Sequence, residues 1–118
     1  MSKGTLKFTL EERDGIHLIH VSGPLDSATY DEFKAYMDPI VYEANRKVVL
    51  DCEKLTYVNS HGVTLMMHYQ KVAKMVFSYF LVAGFRPYIL KGMGRLGLSD
   101  SLTWFPTIEN AMEMAAVG

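Results

Sequence analysis

The chain lacks several things that common functions require. It has one cysteine, Cys52, among 118 residues, which excludes an internal disulfide and a cysteine-based zinc site and suits a reducing compartment. It has no surplus of either charge: 12 Lys and Arg face 13 Asp and Glu, for a formal net charge of -1. Nucleic-acid binders normally concentrate basic residues on one face, so this balance argues against such a partner. No apolar run reaches bilayer length; Val76 to Phe85 falls well short of the roughly 20 residues a spanning helix needs. The first residues, Met-Ser-Lys-Gly-Thr-Leu-Lys-Phe, lack the apolar centre of a signal peptide. Low-complexity tracts and internal repeats are also missing. Apolar residues, by contrast, make up 49% of the chain, enough for a proper core. The expectation is one cytoplasmic domain over residues 1–118, with no membrane insertion and no nucleic-acid partner.

Residues 5–11 and 16–22 alternate with a period near two around Arg13-Asp14-Gly15, the pattern of two strands joined by a tight hairpin. Pro24, in Gly23-Pro24-Leu25-Asp26, is expected to stop the second strand, since it cannot donate to a ladder. Asp26 or Ser27 can then cap a helix carrying Tyr30, Phe33, Tyr36 and Met37, which Pro39 should kink or break. Lys47 to Cys52 reads as a buried strand and Glu53 to Val58 as a loop. A second helix runs from Asn59-Ser60-His61-Gly62 to about Met75, and Phe77 to Gly84 is the next strand. Pro87 suits the first turn of a third helix. Leu102 to Phe105 makes a last short strand, and Thr107 or Pro106 opens the C-terminal helix. Alternating strands and helices predict an α/β fold, a sheet with parallel pairs and helices packed on it.

Ser60, at the start of the second helix, is the first candidate for chemistry. One reading is a structural cap, because Ser and Asn oxygens satisfy the free amides of a helix start. The other is a phosphoacceptor. A phosphate there would add roughly −1.5 to −2 charges, stabilised by the helix dipole, and would change the surface while sparing the fold. A hydrolase nucleophile is excluded. Val58 stands where the G-x-S-x-G elbow needs its first glycine. Downstream, His61 is the adjacent residue and His68 lies about 12 Å along the same helix by rise, so neither completes a triad.

Gly92-Met93-Gly94-Arg95-Leu96-Gly97 matches G-x-G-x-x-G, yet it follows a helical stretch and no βαβ unit comes after it, so it reads as a glycine-rich helix end. His17 and His20, three apart on a strand, point to opposite faces. His61 and His68 are roughly 10 Å apart along a helix, so no metal site is expected. Nothing calls for a cofactor or an enzymatic role. Leu65, Met66, Met67, Tyr69 and Val72 form a wide apolar arc on the second helix, which fits either a well-buried helix or a docking face.

In combination these stretches resemble STAS domains, in particular the bacterial anti-sigma-factor antagonists. Gly23-Pro24-Leu25-Asp26 looks like that family's Gly-x-Leu-Asp turn, and Val48-Val49-Leu50-Asp51 with Leu55-Thr56-Tyr57-Val58 like its central strand and loop. Asn59-Ser60-His61-Gly62-Val63 is similar to its Asp-Ser-Ser/Thr-Gly-Leu signature, and Leu90 to Leu98 to its late helix. The resemblance implies a STAS-like mixed β-sheet with helices packed on it, and partner switching as mechanism. In that mechanism an anti-sigma factor with serine kinase activity binds the unphosphorylated domain and phosphorylates Ser60, and a serine phosphatase resets it. Asp26, Asn59, Ser60, His61 and Gly62 would then meet the partner, and a weak homodimer is compatible with the family. Asn59 and His61 depart from the signature, and Lys74-Met75-Val76-Phe77 stands where the family has glycines. These departures motivate an alternative, a constitutive scaffold subunit of stressosome type or a partner of a transport ATPase.

Overall fold

The computed structural model of the chain describes residues 4–98 and 100–117. Strands β1 (Lys7–Arg13) and β2 (Ile16–Leu25) form the expected hairpin, turning at Asp14 and Gly15 with φ of 54° and 79°. Positive φ at both turn residues matches the right-handed twist of the flanking strands, the reason Asp-Gly recurs in such turns. Helix α1 (Tyr30–Val41), strand β3 (Lys47–Val58), helix α2 (Ser60–Met75) and strand β4 (Tyr79–Ala83) follow. Helix α3 (Pro87–Arg95), the short strand β5 (Trp104–Phe105) and helix α4 (Ile108–Val117) complete the fold. The sheet order is β1-β2-β3-β4-β5, antiparallel between β1 and β2 and parallel elsewhere. The result is a mixed sheet in a single compact domain.

Alternation of side chains along the strands divides the core in two. Ile19, Val21, Val48, Leu50 and Val82 face α1, α2 and α3 and meet Phe33, Met37, Met66, Tyr69, Ile89 and Met93. Ile16, Leu18, Val49 and Ala83 face α4, through Ile108, Ala111 and Ala115. Each fully buried aliphatic side chain of this kind contributes roughly 1.5–3 kcal/mol. The apolar arc of α2 belongs to the first core: Leu65, Met66 and Tyr69 are buried, with Met67 and Val72 packed against them. Tyr69 also fixes α2 against α1, since its hydroxyl donates to Asp38 Oδ1 at 2.5 Å and its ring meets Phe80 edge-on at 5.5 Å. Burial raises the Asp38 carboxyl, but hydrogen bonds from Lys34 and Tyr69 outweigh it and hold the group below its usual value.

Several expectations need correction. Pro24 does not stop β2, which runs on to Leu25. The last β1 pair is Lys7–Ser22, and the β2·β3 register shifts between Gly23 and Pro24, so the missing N–H falls at an irregularity beyond β1. Gly23 itself has φ +102°, and a Cβ there would overlap the Thr5 carbonyl oxygen. Pro39 does not break α1. It sits in the last turn, where one N–H is all the helix loses, and Tyr42 N–H closes that turn on the Asp38 carbonyl at 3.0 Å. Glu53 to Val58 is no loop but the second half of β3, paired with Lys54–Ser22 through Val58–Leu25. Neither Asp26 nor Ser27 is the cap of α1. Thr29 holds that position, and Asp26 builds the turn before it, its Oδ1 accepting the amides of Ala28 at 3.0 Å and Thr29 at 3.1 Å. Strands β4 and β5 are shorter than read, while Pro87 opens α3 and Thr107 Oγ1 accepts the Asn110 amide at 3.1 Å, as expected.

Candidate functional site

The end of β2 and the start of α2 meet at one edge of the domain. The Asn59 amide donates to the Leu25 carbonyl at 3.0 Å, fixing the turn into α2 beside the Gly23–Asp26 segment. Asn59, not Ser60, is the cap: its Oδ1 accepts the Gly62 amide at 2.8 Å from an extended backbone. An N-cap oxygen of this kind is worth about 1 kcal/mol. Gly62 is buried against Leu25. A Cβ there would stand 2.8 Å from Leu25 Cδ2 and 3.0 Å from Val58 Cγ2, so any side chain would force the buried Leu25 or the helix to shift. The glycine is needed for close approach.

With capping assigned to Asn59, the Ser60 hydroxyl has no structural task. Ser60 is the first residue of α2 and exposed, as is His61. The amides of the first helical turn have no intrahelical acceptor, and the Asn59 oxygen satisfies only that of Gly62. The helix start therefore offers positive ends of dipoles beside an exposed hydroxyl.

Ser60 also lines a cleft of about 360 Å³ between the start of α2 and helix α3. Val63, Ile89 and Met93 form its base, and Gly92 leaves part of the α3 wall bare. Around it stand Tyr57 (51% exposed), Tyr88 (53%) and Leu96 (63%). Such large apolar side chains, grouped in the open, mark contact surfaces more often than scattered ones do. Two bonds dock α3 on the second half of β3: Tyr88 Oη donates to the Thr56 carbonyl at 2.6 Å, and Arg86 Nε to that of Glu53 at 3.0 Å. Asn59, Ser60, His61 and Gly62 are contiguous at this site, while Asp26 turns its carboxylate into its own loop. The α3 wall was not predicted. Its sequence signal is the amphipathic run from Tyr88 to Leu96, in which the bare Gly92 reads only as a helix breaker.

A second group also went unread. On the α4 side of the sheet, His20 Nδ1 lies 2.6 Å from Asp51 Oδ2 and its Nε2 lies 2.9 Å from Glu11 Oε1. Arg13 pairs with the other Glu11 oxygen at 2.6 Å. The bond to Glu11, opposed by partial burial and helped by Asp51, raises the imidazole above its ordinary value, and the Glu11 carboxyl is lowered in return. Both ring nitrogens are held by carboxylates, so this imidazole has no nitrogen to offer a nucleophile. The pairing joins β1, β2 and β3 across strands, contacts that spacing along one strand does not reveal. Among the described residues, no group of three His, Cys, Asp or Glu is placed to hold a metal ion, and no helix is long and apolar enough to cross a membrane.

The STAS domain family model matches residues 7–111, nearly every element described above. The chain belongs to the STAS domain family. Over 111 residues it is 26% identical to a Bordetella bronchiseptica protein provisionally named anti-sigma factor antagonist BtrV, covering 94% of this chain and 92% of that one. An anti-sigma factor antagonist from Mycobacterium paratuberculosis has the same fold, with a TM-score of 0.78, 22% identity and 94% of each chain covered. So has the antagonist SpoIIAA in its unphosphorylated form, at TM-score 0.72 and 19% identity over 95% of this STAS domain and 98% of SpoIIAA. SpoIIAA, a Bacillus cell-fate determinant, is also solved phosphorylated, at TM-score 0.63 and 20% identity over 92% and 98% of the two chains.

Proposed function

We propose that this STAS domain is an anti-sigma-factor-antagonist-type regulator whose partner docks on the α2–α3 cleft and is released when Ser60 is phosphorylated. One observation carries the reading: the exposed Ser60 hydroxyl, freed of capping by Asn59, sits on the wall of an apolar cleft. An apolar side chain of the partner fills the cleft between Tyr57, Tyr88 and Leu96, while the partner's surface closes over Ser60. The similarity to antagonists, one of them solved in both phosphorylation states, supports this choice of function.

The proposed chemistry is a phosphoryl transfer. The partner is an anti-sigma factor with serine kinase activity. It transfers the γ-phosphoryl group of ATP to Ser60 Oγ: the bond from the γ-phosphorus to the bridging oxygen breaks, ADP leaves, and the hydroxyl proton is lost as the new ester bond forms. The product carries roughly −1.5 to −2 charges at the first turn of α2, where the helix dipole and the free amides of Ser60 and His61 stabilise it in the released protein. In the complex the same group would be buried against apolar surface with no cation in place. Such a charge costs several kcal/mol, enough to dissociate a complex of moderate affinity. Asn59 in place of an acidic residue removes a repulsion toward that phosphate.

The test uses the purified chain, ATP and the serine-kinase anti-sigma factor of the same genome. Phosphate should enter wild type and not Ser60→Ala, and Ser60→Ala should bind the kinase while Ser60→Asp does not. If Ser60→Asp binds as tightly as Ser60→Ala, Ser60 is no switch and the domain acts as a constitutive scaffold.

A further inference from the structure

The two edges of the five-stranded sheet are finished differently. At one edge β5 is only two residues long. There the Gln70 carboxamide takes up backbone groups, donating to the Thr103 carbonyl at 2.7 Å and accepting the Thr103 amide at 3.1 Å. At the other edge β1 runs for seven residues beside β2 alone, in unbroken register from Lys7–Ser22 to Arg13–Ile16. It holds no proline, glycine or bulge, devices that commonly blunt an open edge. Leu10 on this strand is 47% exposed, although alternation puts it on the same side as Phe8, whose ring stacks on Tyr36 at 4.0 Å. The charges of β1, which elsewhere keep edges apart, here decide which pairing is allowed.

The turn sets which backbone groups of β1 face outward. Arg13 and Ile16 close the two-residue turn Asp14-Gly15, both at positive φ, and so form a hydrogen-bonded pair. Such pairs alternate along an antiparallel ladder, so Glu11, Thr9 and Lys7 also turn their amides and carbonyls to β2. Those of Phe8, Leu10 and Glu12 point away from the sheet. A second copy of β1, antiparallel and related by a two-fold axis, can meet them, since such a contact pairs one edge with itself. Each side of the sheet must continue across the axis, so the register centres on a residue. Centred on Leu10, it sets Lys7 against Arg13 and Phe8 against Glu12; centred on Glu11, it opposes two carboxylates. Centred on Phe8, it engages only residues 7–9 of each strand. Centred on Thr9, it sets Lys7 opposite Glu11, Phe8 opposite Leu10 and Thr9 opposite Thr9. Of the four, this register alone engages more than three residues of each strand and matches every pair by charge, apolarity or hydroxyl. Phe8 and Leu10 of the second copy then exchange both backbone bonds, and the exposed Leu10 gains an aromatic neighbour. Glu11 keeps Arg13 and His20 and can also accept Lys7, since a carboxylate has about four acceptor positions.

We propose that β1 pairs with β1 of a second copy around Thr9, joining two five-stranded sheets into one continuous sheet. One short strand from each copy is a small interface beside the roughly 1,200 Å² of stable complexes, so the dimer is weak and forms at micromolar to millimolar concentration. It uses no residue of the α2–α3 cleft and is independent of the Ser60 switch. Sedimentation and disulfide trapping of the purified chain test it. Wild type should show a concentration-dependent equilibrium between monomer and dimer, which Ser60→Asp leaves unchanged. Thr9→Cys should oxidise to a linked dimer about tenfold or more faster than Lys7→Cys. Opposed residues of a non-hydrogen-bonded pair lie about 4.5 Å apart at Cα, within disulfide reach, whereas the two copies of residue 7 stand about 14 Å apart along the strands. Cys52 is buried and stays out of the reaction. Lys7→Glu, which opposes two carboxylates, should weaken self-association about tenfold. Residues 7 and 9 are exposed, so these changes spare the core and Tm should hold. A monomer at every concentration, equal oxidation of the two cysteine variants, or a dimer indifferent to Lys7→Glu would overturn the assignment.

Discussion

The two ends of α2 solve the same problem in opposite ways. At the N-terminal end every residue type suits its backbone: Asn59 caps, Gly62 admits Leu25, and Ser60 remains exposed. At the C-terminal end a residue type works against its backbone, with Phe77 left-handed and exposed where glycine would cost nothing. The first end is well made and leaves exposed a hydroxyl the fold does not need. The second end keeps a local conflict, an exposed aromatic residue on a left-handed backbone.

Substitutions at each end test that contrast. The largest effect should come from Gly62→Val, whose branched side chain collides with Leu25 and Val58 and should cost about 2–3 kcal/mol in urea unfolding. A smaller value would mean that the close approach is not what requires glycine. Gly92→Leu should weaken partner binding about tenfold or more by filling the α2–α3 cleft. Open space surrounds its added Cβ, and a better helix former replaces glycine, so thermal stability should hold or rise. Asn59→Ala removes the cap and should lose about 1 kcal/mol. Phe77→Gly should do the reverse at the other end, gaining up to about 1 kcal/mol as the left-handed strain is relieved. Equal losses at the two ends would erase the comparison.

The smallest effect concerns the sheet between them. The folded-state pKa of His20 is raised, so its contribution is fully present below the unfolded value of 6.5 and lost as pH rises through the folded one. Glu11 is lowered, so its share fades as pH falls through its own folded value. His20→Gln should therefore cost most in mildly acidic buffer, under about 1 kcal/mol because the pair is half exposed and screened. The cost should shrink toward alkaline pH; a cost independent of pH would mean that packing, not charge, holds the imidazole.

What sequence revealed follows the same division. The Asp14-Gly15 hairpin, Pro87 at the first turn of α3, and the helix start at Ser60 are local, and local preference decided them. The prolines 24 and 39 misled because the cost of a missing N–H depends on whether a partner awaits it, which is a tertiary fact. Glu53 to Val58 looked like a loop because past Asp51–Ala83 the strand has lost β4 and pairs with β2 alone, so its residues are mostly exposed. The α3 side of the Ser60 cleft and the His20–Asp51 pair are built across strands and helices, beyond the reach of spacing within one element.

The central claim is that the idle hydroxyl of Ser60 governs docking at the α2–α3 cleft. The most direct measurement is the Kd of the serine-kinase anti-sigma factor for the unphosphorylated chain and for the same chain carrying phosphoserine at position 60. A loss of about a hundredfold or more on phosphorylation is expected, with Gly92→Leu reproducing much of it in the unphosphorylated protein. Equal affinity for the two forms would contradict the account.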